Sequence, residues 1–501
     1  MGVIDTLRMN DEGEMVIEMP KELPWQYRDY KSVYKGQYAD KLPPHRSFDH
    51  AINMVEGKEL PWGPIYALSK KELEVLRAYI DTMLKSGKIP RSKSPASTPI
   101  LLVPKDPGHG LHLCVDYRGL NNVTILNRYP LPLMNELCNR VRGANVLTKL
   151  DLKAGYNLIR IKEGNEWKTA FRSRYDHYGY KVMLFGLANA PTTFQNMMNE
   201  IFKDLIDYGV VIYLDDILIY SRNEDKHIAR TKKVLERLQE HQLALSPEKC
   251  EWHKSKVNFL GYVILEEGIE MDQEKIKTVL QWEEPTTVKE VQSFLGFANF
   301  DSRFIQSYSK MTKPLTDLKK KSEKFDLTNL KKSANFDWSA ECQRAFDELK
   351  KHFTSAPILR HFDPDLPCIV ECDASDFVIG AILSQEVNGR LHPIAFHSRK
   401  MNKHEINYEI HDRELLAITS AFKEWRHYLE GARQKINVYT DQRGLEWFAN
   451  NKPLNRRQAR WGLELDVFDF VIIYHSAVQN GKPDTLSRRS EFRPEKGGQG
   501  Y

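Results

Sequence analysis

One stretch constrains the fold of this chain more than any other: Tyr213-Leu214-Asp215-Asp216-Ile217-Leu218-Ile219-Tyr220-Ser221. Two adjacent acids interrupt two apolar runs, with Val210, Val211, Ile212 and Leu214 before them and Ile217, Leu218 and Ile219 after. Apolar runs of this length around a two-residue break predict a buried β-hairpin. The usual break is Asn-Gly or Asp-Gly, because the central positions often need positive φ. Asp-Asp is a poor turn pair, and its like charges repel. A solvated acidic turn is one explanation; a divalent cation that offsets the repulsion is the other. The second points to phosphoryl transfer, where paired carboxylates hold metal ions.

A chain of 501 residues exceeds what one domain normally needs. Its 22 Phe, 22 Tyr and 9 Trp are enough to build real cores. A net charge of +5 permits nucleic-acid binding only if the positive charge is clustered. Cys114, Cys138, Cys250, Cys342, Cys368 and Cys372 show no Cys-x-x-Cys spacing, which excludes a zinc knuckle or ribbon and reads as intracellular thiols. No apolar stretch approaches the ~20 residues that cross a bilayer. The acidic N-terminus lacks a signal-type apolar core. An intracellular protein without a membrane partner is expected.

Residues 1–45 are polar, carry Pro20, Pro24, Pro43 and Pro44, and read as an N-terminal tether. Ser69 and Glu72 form a capping box for a helix whose Leu73, Leu76, Ile80 and Met83 share one face, ended by Gly87. Strands are expected at 100–103 and 111–115, followed by alternating strands and short helices over 145–262. Thr287 and Glu290 form a second capping box before the stripe Val288, Val291, Leu295 and Ala298. The Lys-rich run 317–336 (Lys319, Lys320, Lys321, Lys324, Lys331, Lys332) is either a solvated linker or a duplex-tracking surface. A second α/β unit opens near Pro367, with a long helix marked by Leu415, Ile418, Phe422, Trp425 and Leu429 and a strand over 436–440. The tail after Ser487 is basic and Gly-rich.

A third carboxylate, Asp151 in Thr-Lys-Leu-Asp-Leu-Lys-Ala-Gly-Tyr (148–156), ends a strand before a turn. Two-metal nucleotidyl transfer needs carboxylates from separate strands: one ion activates a primer 3′-hydroxyl and the other holds the triphosphate. Asp151 with the Asp215–Asp216 hairpin supplies such a set. The stretches "LCVDYRGLNNVTILNRYPLP" (113–132), "LTKLDLKAGYNLIRI" (147–161), "KTAFRSRYDHYGY" (168–180), "FGLANAPTTFQNMMN" (185–199), "VVIYLDDILIYS" (210–221) and "FLGY" (259–262) run in one order. In this the chain resembles the reverse transcriptase and ribonuclease H segment of gypsy-type LTR retrotransposon (Metaviridae-like) polyproteins.

The resemblance implies that Asp151, Asp215 and Asp216 are polymerase metal ligands. It implies that Tyr156 lies under the sugar and excludes a ribose 2′-hydroxyl, although an ordinary core Tyr is the plainer reading. Phe185 and Gly186 match the turn lining the nucleotide pocket, and Lys105 and His112 fall where the triphosphate is gripped. Arg118 is either a further contact or the partner of Asp116. Three positions depart from the family pattern. His112 stands for an Arg, offering a weaker donor set than a guanidinium fork; Leu184 stands for a Pro, and Asp301 for an aromatic.

The distal half offers four acids: Asp373 at a strand end, Glu414 beside the buried stripe of the long helix, Asp441 at another strand end, and Asp484 in Pro-Asp-Thr-Leu-Ser. A carboxylate near a buried stripe is costly unless paired or metal-bound. With "DASDFVIGAILSQ", "RKMNKHEINYEIHDRELLAI" and "YTDQRGLEWF", this half resembles the retrotransposon ribonuclease H domain, which implies that all four acids ligate two metals and aim a water at a phosphodiester. Gln442 replaces a His there. Tyr474-His475-Ser476 replaces an aromatic-Arg-Pro run, leaving His475 as either a product-release residue or a plain loop His.

The fold class expected is an α+β / α/β multidomain chain, a right-hand polymerase followed by an α/β ribonuclease H-like domain. Its parts are a tether (1–45), fingers and palm (46–265), thumb (266–325), connection (326–366), ribonuclease H domain (367–488) and tail (489–501). The implied activity is RNA- and DNA-directed DNA synthesis with hybrid-specific RNA cleavage. The implied cofactor is Mg²⁺, two per site, with Mn²⁺ as substitute. The implied partners are RNA template, DNA primer, RNA–DNA hybrid and dNTPs, and a homodimer is compatible. The expected location is cytoplasmic, within virus-like particles, with a nuclear phase later in the cycle. A decayed or repurposed copy that binds hybrids without catalysis is the alternative, motivated by His112, Leu184, Asp301 and Gln442. No Asp-Thr-Gly or Asp-Ser-Gly protease motif and no His-His-Cys-Cys finger occurs, so only the reverse transcriptase–ribonuclease H portion is expected.

Overall fold

The computed structural model describes residues 2–3, 23–34, 41–104, 111–318, 336–446 and 455–475. The chain divides into two compact units, Met1–Leu260 and Gly261–Tyr501.

The first unit centres on a four-stranded antiparallel sheet in the order Val210–Tyr213, Asp216–Ser221, Val146–Asp151, Glu251–Lys254. Leu147, Leu150, Ile217, Leu218 and Ile219 are fully buried, which is why these strands read as near-continuous apolar runs. Helix Ala190–Phe202 adds Phe194, Met197 and Met198 to the same core, and helix Glu224–Glu240 adds Val234, Leu235 and Leu238. Asn223 caps the latter by accepting from the Lys226 amide at 3.0 Å, ahead of two acids in its first turn. Helix Lys70–Lys85 carries the expected capping box, with the Ser69 amide donating to Glu72 Oε2 at 2.7 Å. The hairpin Ile100–Pro104 with Leu111–Val115 pairs Ile100 with Val115.

The expected N-terminal tether is corrected over residues 25–34. Trp25–Tyr30 forms a 3₁₀ turn that runs into helix Lys31–Tyr34. Tyr27, Val33 and Tyr34 are buried in the main core, and the Leu245 amide donates to the Val33 carbonyl at 3.1 Å. Tyr27, Tyr30 and Tyr34 recur at helical spacing and so give a short apolar face that the surrounding prolines obscure.

In the second unit, strands Tyr262–Leu265, Gly268–Met271 and Leu359–Arg360 are antiparallel neighbours. They accompany helices Gln273–Gln281, Val288–Phe300 and Ala340–Thr354. Phe346 of the last helix meets Phe294 at a tilt, 4.7 Å between ring centroids, and Lys350 donates to the Leu280 carbonyl at 3.2 Å. Over its described part, the segment expected as a separate connection (326–366) therefore packs onto the helices expected as the thumb. The division between units also falls before the predicted residue 265, because Tyr262–Leu265 pairs onward into this unit. At the second capping box, Thr287 Oγ1 accepts from the Glu290 amide at 3.2 Å. Glu290 reaches instead to the Thr286 amide at 2.7 Å, one residue upstream of the cap.

The rest of this unit is a five-stranded sheet in the order Arg390–Lys400, Val378–Val387, Cys368–Ala374, Ile436–Thr440, Phe470–Tyr474. The first three pair antiparallel and the last two join in parallel. The parallel step needs a crossover, and helix Ile410–Glu424 supplies it, burying Leu415, Ile418 and Phe422. All six cysteines are buried and none forms a disulfide. Among the described residues no helix is long and apolar enough to cross a membrane. Lys319–Lys332 and the Gly-rich tail lie outside the described residues.

Candidate active sites

Asp151 ends its strand directly opposite Asp216, the first residue of the neighbouring strand. The hairpin turn is Leu214-Asp215 rather than the expected Asp215-Asp216, because Tyr213 already pairs with Asp216. Leu214 takes φ 54°, the positive value a two-residue hairpin turn demands and a side chain resists. Gln195, fully buried on helix Ala190–Phe202, offsets that strain by accepting from the Leu214 amide at 2.8 Å. On the other side, the Leu152 amide donates to the Asp215 carbonyl at 3.2 Å. Three carboxylates thus share one rim of the sheet, fixed by backbone pairing and one buried amide.

Two lysines answer this charge. Lys249 Nζ lies 3.3 Å from Asp151 Oδ1 and Lys149 Nζ lies 3.3 Å from Asp216 Oδ1. Asp151 Oδ1 is buried and makes no hydrogen bond, so its contact with Lys249 is an ion pair with poor alignment. Burial pushes the Asp151 carboxyl up, Lys249 pulls it back, and Asp215 and Asp216 push it up again, to about 6. A buried, unsatisfied carboxylate oxygen beside two more carboxylates fits a hard divalent cation by donor chemistry. Among the described residues no three such ligands already converge on one point, and the ion pairs to Lys149 and Lys249 engage two of the acids instead. Sequence reasoning missed Gln195, Lys149 and Lys249; only the fold brings the first and last of these to the acids.

Tyr156 is nearly buried and meets Phe185 edge-on at 4.3 Å. Burial, then the Asp215 and Tyr213 charges, push its phenol up to about 12. The ring therefore sits beside the acids. Gly155 is packed so closely that a Cβ there would come within 3.1 Å of Phe194 and 3.5 Å of Asp215. Gly186 takes φ 88°, and its carbonyl accepts from Asn121 Nδ2 at 2.7 Å. Arg118 is held by Asp116 through contacts of 2.8 and 2.6 Å, in keeping with the ion-pair reading. Lys105 lies outside the described residues; His112 stands on strand Leu111–Val115 opposite Val103, with its side chain outside them.

At the second site, strands Cys368–Ala374 and Ile436–Thr440 run parallel with Glu371 beside Tyr439, a register whose extension puts Asp373 level with Asp441. Glu414, almost wholly buried, accepts from the Ala374 amide at 3.1 Å and from the Thr440 hydroxyl at 3.5 Å. Burial and then the Asp441 and Asp373 charges push its carboxyl up to about 8. Asp373 as a residue is exposed. Its carboxyl is still raised, by desolvation first and Asp441 second, against the Lys310 ammonium. Asp484 lies outside the described residues. His475 donates its amide to the Thr440 carbonyl at 2.9 Å and lays its ring on Tyr439, which anchors it at the end of the sheet. Gln442 meets His411 through its side-chain amide.

Residues 104–264 match the family described as reverse transcriptase (RNA-dependent DNA polymerase), and residues 338–438 match the RNase H-like domain found in reverse transcriptase. Asp151, Asp215 and Asp216 fall in the first match, Asp373 and Glu414 in the second. The chain is 38% identical over 488 residues to the Transposon Tf2-3 polyprotein of Schizosaccharomyces pombe, covering 96% of this chain and 36% of that protein. It thus spans about a third of the length of the curated relatives it matches. Among solved structures it is similar to a foamy viral protease-reverse transcriptase in complex with dsDNA (TM-score 0.75, 23% identity, 90% of this chain and 92% of that one). It is also similar to a foamy viral protease-reverse transcriptase in complex with an RNA/DNA hybrid (TM-score 0.69, 22% identity, 97% of this chain and 67% of that one). At that identity the likeness bears on the fold.

Proposed function

Because the chain belongs to the reverse transcriptase–ribonuclease H segment of gypsy-type LTR retrotransposon polyproteins, we propose that it copies RNA, and then DNA, into DNA at Asp151, Asp215 and Asp216. It cleaves the RNA strand of the resulting hybrid at Asp373, Glu414 and Asp441, with Asp484 as fourth acid. Its fold is that of a right-hand polymerase joined to an RNase H-like domain. The observation that carries the reading is the Asp151–Asp216 register, which sets a buried, unsatisfied carboxylate oxygen beside two further acids.

Mg²⁺, or Mn²⁺ in its place, would be held by these acids and, when bound, lowers the pKa of the attacking hydroxyl or water and neutralises phosphate charge. The chain's own groups do the rest. Gln195 holds the turn that presents Asp215. Tyr156 and Phe185 form the aromatic wall on which the dNTP sugar rests, and an added 2′-hydroxyl would press on Tyr156. Glu414, whose carboxyl is pushed up by burial and by Asp441 and Asp373, would be a ligand to the cation, whose charge would favour its ionised form. RNA template, DNA primer and hybrid are held mainly through phosphates. Fingers and palm correspond to the first unit, and the thumb to the helices over 273–300. A homodimer and residence in cytoplasmic virus-like particles complete the proposal.

Two of the departures that favour a decayed copy are accommodated in the fold. Leu184 is fully buried in the core, and Asp301 is buried against Lys275 at 3.2 Å. The test is primer extension on an RNA template with Mg²⁺, beside an Asp215→Asn/Asp216→Asn control. Extension that vanishes in the control supports a working polymerase. A folded, hybrid-binding chain that never extends a primer would favour the decayed copy.

A further inference from the structure

A helix from outside the segment that matches the RNase H-like domain packs on the sheet that carries the ribonuclease acids. Helix Tyr308–Met311 continues through Thr312, whose amide donates to the Tyr308 carbonyl at 2.9 Å, into helical residues 313–318. It is docked on strand Arg390–Lys400. The Ser309 amide donates to Ser398 Oγ at 3.1 Å, Ser309 Oγ donates to the Ser398 carbonyl at 2.8 Å, and Lys400 pairs with Asp317. Lys313 Nζ lies 4.5 Å from the centroid of Phe377, in the turn that follows Asp373, and 3.7 Å from Asp317. The Phe377 carbonyl in turn accepts from the Met401 amide at 2.9 Å, so this turn is itself fixed.

One helical turn before Lys313, Lys310 is exposed and shares its face. Its charge is felt at Asp373. Among the described residues, three further cations of this unit are engaged: Arg413 with Asp376 at 3.1 Å, Arg399 with Glu405 at 2.8 Å, and Lys400 with Asp317. Lys310 has no side-chain hydrogen bond or ion pair within hydrogen-bonding reach among the described residues. An exposed ammonium held on a docked helix beside a cluster of phosphodiester-cleaving acids has one obvious polyanionic ligand.

We infer that Lys310 is a substrate-binding residue of the ribonuclease site, its ammonium taking a backbone phosphate of the strand presented to Asp373, Glu414 and Asp441. The inference rests on the ribonuclease reading above. It makes hybrid cleavage depend on a helix upstream of the RNase H-like match, held there by Ser309, Ser398, Asp317 and Lys400. The acids fix where the strand is cut, and Lys310 fixes where its backbone lies.

The experiment uses the full chain and an end-labelled RNA–DNA hybrid, with cleavage followed against hybrid and salt concentration. Primer extension by the same preparations reports that each variant is folded. Lys310→Ala should raise KM for the hybrid roughly five- to tenfold, leave kcat within about twofold, and flatten the log–log salt dependence of kcat/KM by about one unit. Lys310→Arg should restore both KM and the salt slope. An unchanged KM and slope in Lys310→Ala overturns the inference, and so does a loss confined to kcat that Arg does not rescue, since that would be a structural role. If the unsubstituted chain extends primers but cleaves no hybrid, the ribonuclease reading itself falls, and this inference with it.

Discussion

Two buried carboxyls, Glu414 and Asp301, differ in one respect that decides their behaviour: only Asp301 has a cation. Glu414 accepts from the Ala374 amide and the Thr440 hydroxyl but faces Asp373 and Asp441. Its folded carboxyl titrates at about 8 against an ordinary 4.5. A raised folded pKa means that the stabilising form is the protonated one. Its contribution is complete below about 4.5 and is lost as pH rises through about 8. In chelator, scanning calorimetry should therefore find the second unit losing stability between pH 5 and pH 9. Glu414→Gln should recover on the order of 1–3 kcal/mol at pH 9. Added Mg²⁺ should shrink that gain, and a wild-type curve flat across this window would contradict the assignment. Burial pushes the Asp301 carboxyl up as well, but Lys275 pulls it back. Lys275 contacts it at 3.2 Å and also sits 3.8 Å over the Phe300 ring. Asp301→Ala leaves that ammonium among aromatics and should cost roughly 3–5 kcal/mol in urea unfolding, whereas pairing it with Lys275→Met should cost much less. If single and double variants lose equally, the two residues are not coupled.

Elements show where sequence is informative. The helix at Lys70–Lys85 was legible because its cap, box and apolar face are all local, and the realised Ser69–Glu72 bonds follow from three-residue spacing. The strands that carry Asp151 and Asp216 were legible for the same reason, as runs of buried residues. The turn between them was not: which two residues make it depends on cross-strand register, and Tyr213 pairing with Asp216 moves it to Leu214-Asp215. Residues 25–34 were misread as tether because their partners, Leu245 and His253, are distant in the chain. Gln195 is the functional case of this blindness. Nothing near it in sequence says that its amide will secure a positive-φ Leu214, yet that turn sets where Asp215 points. Gln195→Ala should leave the helix intact and lower kcat for primer extension by roughly ten- to a hundredfold, with little change in the KM for dNTP, because misplacing a reacting geometry costs rate more than binding. Unaltered kcat would mean the turn holds itself.

For the molecule as a whole, both acid clusters set carboxylates at neighbouring strand ends and push one buried carboxyl well above its ordinary range: Asp151, at a strand end, to about 6, and Glu414, on the crossover helix, to about 8. Such groups cluster at functional sites because burial and like charge are tolerable only when a cation answers them. The clusters lie in different compact units, share no residue, and have separate cores. Substitutions in separate cores with no shared partner act independently. Asp373→Asn should therefore reduce hybrid cleavage at least a hundredfold while primer extension stays within about twofold, since removing a charge-stabilising group costs a few kcal/mol of barrier. Asp215→Asn/Asp216→Asn should show the reverse, and each variant should keep the salt-steep affinity for template–primer that phosphate contacts confer. Measured on one preparation of each, the two activities test the division directly. If Asp373→Asn silenced synthesis as well as cleavage, the acids would not be serving two sites, and the separation of the cores would have no counterpart in the chemistry.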